Sequence, residues 1–114
     1  EPAAMTAPSS NLPWSEQYRI VAKDYVALKS AADMLEETKS AVLAKRMAAL
    51  GDMPVSRAEM AVKGSDEWTD YIKTMVDARE QAELKRVHLE YIRMKFMEWQ
   101  SANATQRAEM RLAS

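Results

Sequence analysis

In the first half of the chain, Val21, Leu28, Leu35, Val42 and Ala49 recur at seven-residue spacing, with Tyr18, Tyr25 and Ala32 at the companion positions. Alternating steps of three and four put these side chains on one stripe of a helix. The pattern predicts a helix over 14–50. The companion positions then become Lys39 and Arg46, so the buried face drifts toward Leu43, Met47 and Leu50. Gly51 suits the left-handed residue that follows a helix end, and Pro54 forbids simple continuation.

The second half carries the stronger seam: Trp68, Tyr71, Met75, Ala78, Ala82, Lys85, Leu89, Ile92, Phe96 and Trp99. It predicts a helix over 66–102, capped by Ser65, with Asp66 and Glu67 at the positive end of the helix dipole. The helix reaches at least Gln100; it either gives way to a tail over 103–114 or continues, past a break around Asn103, to Leu112. Between the long helices, Ser56 and Glu59 have capping-box spacing, and a short helix is expected over 57–63, ended by Gly64. Residues 1–13 are interrupted by Pro2, Pro8 and Pro13 and read as a disordered arm.

The expected class is all-α: a long antiparallel helical hairpin with a short connecting helix. Two helices give each seam one partner only. Ile20, Ile72, Val76, Met94 and Met97 widen the apolar surface beyond it, and exposing that surface costs about 25 cal/mol per Å². Assembly into an oligomeric bundle is the simplest remedy, with Trp68, Tyr71, Met75, Leu89, Ile92, Phe96 and Trp99 as the core or oligomer seam.

Composition supports the class. The 114 residues include two glycines, four prolines and 29% charged residues, too few turn formers for a strand-rich fold. The net charge of −1 removes the broad electrostatic signal of a nucleic-acid coat. Cysteine is absent, which excludes disulfides, thiolate metal sites and cysteine nucleophiles. No apolar run reaches the roughly 18 residues of a membrane span. Residues 1–13 lack the basic start and apolar run of a signal peptide, so cytoplasm is the expected compartment.

Candidate chemistry is sparse. His88 is the only histidine, and neither Glu83 nor Glu90 has the spacing that would put a carboxylate beside it on one helical face, so a structural histidine is expected. Asp33, Glu36 and Glu37 form one acidic patch, and Glu80 with Glu83 another. Both read as solvated faces rather than acid–base pairs. Lys39, Arg46 and Lys85 lie on or near the seams, where snorkelling and phosphate holding compete as readings. The nine methionines sit mostly at core spacing. No nucleophile–base pair or metal set is visible, so neither enzyme activity nor a cofactor is expected. Lys85, Arg86, Arg93 and Lys95, continued by Arg107 and Arg111 and interleaved with Tyr91, make the best candidate DNA contacts, because single-strand binders combine basic grooves with aromatic platforms.

The run from Phe96 to Leu112, with Trp99, Ser101, Asn103-Ala104-Thr105 and Arg107-Ala108-Glu109-Met110, resembles the C-terminal signature of a group of small helical tailed-phage proteins. Tyr25-x-x-Leu28 and Trp68-x-x-Tyr71 fit the layout of that group, so the likeness spans 18–112 and is specific over the last 17 residues. Its plan is similar to that of phage recombination mediators. The resemblance implies a non-catalytic accessory protein for DNA recombination or replication: a homo-oligomer that contacts single-stranded DNA, a RecA-like recombinase, or both, in the host cytoplasm. It also implies a role for Asn103 and Thr105 as a polar break that orients the tail. The alternative is a protein-interaction module, a virion assembly factor or host-protein inhibitor, without nucleic-acid contact.

Overall fold

The computed structural model describes residues 11–113, and over these the chain is all-helical: α1 (Trp14–Glu37), α2 (Lys39–Ala49), α3 (Val55–Lys63) and α4 (Asp66–Ala113). The expected N-terminal arm lies outside the described residues up to position 10. Its last residues are tied down: the Gln17 side-chain amide donates to the Leu12 carbonyl at 2.8 Å. The Pro13 carbonyl accepts from the Glu16 and Gln17 amides, which starts α1.

The chain divides into two compact units. One holds α1 up to Tyr25 and α4 from Glu83 onward. Its core is Val21, Leu89 and Ile92, with Trp14, Ala22 and Tyr25 packed against them. Val21 exposes no surface at all. Burying a side chain of this kind contributes about 1.5–3 kcal/mol. Asp24 meets Lys85 at 3.7 Å, and Trp14 shares a groove with Phe96, so the two segments run antiparallel within this unit.

The other unit, Val26–Ala82, contains the end of α1, all of α2 and α3, and the start of α4. Ala32, Ala58, Val62, Trp68, Met75 and Ala82 are buried in it. Small alanines let helices approach closely around the one large ring. α2 packs on α3 yet has no fully buried residue of its own. Gly51 takes φ +85°, and its amide reaches the Ala48 carbonyl at 3.1 Å, closing the end of α2. The Ser65 hydroxyl caps α4 by accepting from the Trp68 amide at 3.2 Å, and it donates to the Val62 carbonyl at 2.6 Å.

Three expectations need correction. The helix over 14–50 is broken at Thr38. The Thr38 hydroxyl bonds back to the Met34 carbonyl at 2.8 Å, and the Tyr71 hydroxyl donates to the Leu35 carbonyl. In an unbroken helix that carbonyl would serve the Lys39 amide. A side chain inserted into the backbone ladder is an established cause of helix breaks. The second long helix does not stop near 102; α4 runs through Asn103 to Ala113. Asn and Thr each cost a helix only about 0.7 kcal/mol relative to Ala, and the flanking Ala102, Ala104 and Ala108 are strong formers. The Ser56–Glu59 capping box does not start the short helix. α3 begins one residue after Pro54, whose carbonyl accepts from the Ala58 amide at 2.9 Å, and Glu59 pairs instead with Lys63 at 2.7 Å. Among the described residues, no helix is long and apolar enough to cross a membrane.

Candidate nucleic-acid interface

Position along a helix decides which cations act together. Arg86, Arg93, Gln100 and Arg107 follow one another at seven-residue steps. Two turns of helix separate each pair, so all four share one face, rising about 10.5 Å per step. Arg111 stands one turn beyond Arg107. This repeat is legible in the sequence, but grouping the basic residues by closeness along the chain hides it.

Two of the expected contacts fall elsewhere. Lys85 belongs to the buried side of α4, where its ammonium faces the Asp24 carboxylate at 3.7 Å. That contact explains a cation on an apolar seam better than free snorkelling does. Lys95, two residues from Arg93, projects from the opposite side of the helix. Its Nζ lies 5.8 Å from the centre of the Tyr91 ring and 3.6 Å from Glu98.

The arginine face carries its own counter-charges. Arg86 Nε donates to Glu83 at 2.8 Å, and that hydrogen bond raises the guanidinium pKa above its ordinary value. Arg93 lies 3.9 Å from Glu90. The Arg107 guanidinium donates to the backbone carbonyl of Asn103 at 3.4 Å, within a helix that Asn103 does not break. These are solvent-exposed, screened pairs that contribute little, and a phosphate competes with them readily.

Beside Arg93 lies a groove of about 330 Å³, lined by Trp14, Ser15, Tyr18, Ile92, Arg93 and Phe96. Its walls are aromatic and its rim is cationic. Trp99 continues the aromatic surface by stacking on Phe96, with ring centres 6.0 Å apart and planes inclined by 24°. A second hollow of about 450 Å³ follows along the same helix, lined by Trp99, Gln100, Asn103, Gln106, Arg107 and Met110. It offers amide groups where the first offers rings. Sequence reasoning missed Trp14 and Tyr18 as site residues. The available signal was two aromatics one helical turn apart, with Trp14 preceding the apolar stripe.

The remaining candidates have structural settings. Trp68 and Met75 are buried within their own unit, as are Leu89 and Ile92 within theirs. Tyr71 is held by a hydrogen bond to the Leu35 carbonyl of α1 and by contact with the Thr38 hydroxyl, Phe96 is half-buried, and Trp99 is half exposed. Lys39 is exposed and Arg46 partly buried. His88 sits against Tyr91, ring centres 6.5 Å apart. The acidic patches are divided among cations: Asp33 meets Lys29 at 3.1 Å, Glu36 meets Arg79 at 3.6 Å, and Glu83 meets Arg86. Near the start of α1, the Glu16 carboxylate accepts from Arg19, which lowers its pKa below the ordinary carboxylate value. Among the described residues, no three metal-ligating side chains come together. No family model matches the chain, and no curated protein or solved structure matches it.

Proposed function

We propose that this chain is a non-catalytic accessory protein for DNA recombination or replication, of the tailed-phage kind that its C-terminal signature resembles, and that it binds single-stranded DNA. The observation that carries the reading is the aromatic groove of Trp14, Tyr18 and Phe96 with Arg93 on its rim. Stacking a base on an aromatic side chain contributes about 1–3 kcal/mol and tolerates any sequence. Arg86, Arg107 and Arg111 extend the cationic face along the strand's path. In this reading the two long helical segments act as a hairpin whose remaining apolar surface is covered by further copies. The assembly works in the host cytoplasm beside a RecA-like recombinase.

A second reading, a protein-interaction module without nucleic acid, is favoured by a separate observation: Arg86 and Arg93 already have carboxylates beside them. Fluorescence anisotropy of a labelled single strand, titrated at several salt concentrations, separates the two. Phosphate contacts predict a log–log salt slope of about −0.7 per contact. Arg93→Ala should lower that slope by about one contact, and Tyr18→Ala should weaken binding with the slope unchanged. No binding by the wild-type chain at low salt would leave the interaction module as the better account.

A further inference from the structure

α4 is apolar on two opposite sides. Leu89 and Ile92 face α1 and are buried. On the far side Leu84, Val87, Tyr91 and Met94 are 62%, 53%, 52% and 56% exposed. Their steps of three, four and three are those of a two-stranded helical seam. Ala108 and Leu112 return to the same stripe two heptads later. Its intervening seam positions are the polar Glu98, Ser101 and Thr105.

We infer that this outer stripe pairs with the same stripe of a second copy, the two α4 helices lying parallel and in register. The inference rests on the self-associating part of the proposed function and is independent of DNA contact. Charge selects both the occupant and the direction. Glu83 and Glu90 flank one edge of the stripe; His88 and Lys95 flank the other. In a parallel pair, a residue on the first edge meets the residue five positions later on the partner helix. Glu90 then meets Lys95 of the second copy, and Glu83 meets His88. An antiparallel pair instead sets Glu83 against Glu90, like beside like, and leaves Lys95 across from His88 with no carboxylate to meet it.

The end of α4 points the same way. From Met97 to Ala113 every residue except Asn103 is exposed. A lone helix of that length is marginal in water. A parallel partner lies alongside it throughout, whereas an antiparallel partner centred on the stripe leaves it uncovered. Glu98 meets its own copy across the seam, an exposed contact that costs little beside the two Glu90–Lys95 pairs. The intrahelical pairs made by Glu90 and Lys95 are exposed and yield readily to a better-placed partner.

The chain has no cysteine, so Met94→Cys introduces a single thiol. Mild oxidation should yield a disulfide-linked dimer, because in a parallel register position 94 faces itself. In sedimentation equilibrium, Glu90→Lys and Lys95→Glu should each weaken association by about tenfold, since each change makes two repulsive contacts in the symmetric pair. The doubly swapped E90K/K95E chain should recover it. Circular dichroism checks that every variant remains helical. The proposal is overturned if the wild-type chain stays monomeric at several hundred micromolar. It is equally overturned if the Met94→Cys chain cross-links only to a chain carrying Leu84→Cys, or if the double swap is no better than the single changes. A monomer that still binds single-stranded DNA would remove the pairing alone; a cross-linked dimer that ignores DNA would remove the DNA reading alone.

Discussion

Trp68 and Trp99 stand toward opposite ends of α4, each stacked on an aromatic three residues away: Tyr71 at 5.6 Å for the first, Phe96 at 6.0 Å for the second. Their settings diverge from there. Trp68 is 6% exposed and Trp99 is 50% exposed. The first belongs to a unit in which α1 and α3 supply buried Ala32, Ala58 and Val62. The second belongs to the stretch of α4 that is open to solvent. Helical spacing tells which side chains share a face. Whether that face is covered depends on what the rest of the chain brings to it.

Removing each ring should expose the contrast. Trp68→Ala is expected to cost about 3–5 kcal/mol in urea denaturation, the range for deleting a large buried aromatic. Trp99→Ala should cost under about 1 kcal/mol while weakening whatever binds the exposed surface. Equal losses at the two positions would show that Trp99 is covered in solution. Next in size is Tyr71→Phe, which keeps the ring and deletes the hydroxyl. A loss of about 1–2 kcal/mol is expected, and the backbone amide shifts of Thr38 and Lys39 should move toward those of continuous helix. Gly51→Ala should cost about 1 kcal/mol. An added Cβ meets nothing within 4 Å, so the loss comes wholly from the positive φ and should appear in thermal melts without any change in helix content.

The smallest effect belongs to Glu16. Its folded pKa is lowered, chiefly by the hydrogen bond from Arg19, so its contribution is complete above the unfolded carboxylate pKa. The contribution disappears as pH falls through the folded value. A Glu16→Gln chain should therefore differ from wild type slightly at neutral pH and not at all in acid, as read from paired melting curves. A difference that grows on acidification would reverse the assignment.

Much of the fold was written in local chemistry. Ser65 before an acidic first turn, Gly51 before Pro54, and the Val21 and Leu89–Ile92 stripes each need only their neighbours to be understood. The break at Thr38 was not local, because the hydroxyl that occupies the Leu35 carbonyl comes from Tyr71, far along the chain. Lys85 looked like a misfit for the same reason: its partner Asp24 lies on the other helix. A break at Asn103 gives Asn103 and Thr105 more weight than their helix cost warrants. At the candidate site, Arg93 was identified from the sequence. The groove beside it was not, because only folding brings Trp14 and Tyr18 next to Phe96.

A seam of methyl and methylene groups is nearly the same one turn up or down, so two helices joined by grease alone can slip along each other at modest cost. Tyr71 removes that freedom within its unit. Its phenol must find one particular carbonyl, and a shift of one turn, about 5.4 Å, would strand the hydroxyl against hydrocarbon. The residue thus works as an index pin, selecting which rung of one rod lies level with which rung of the other.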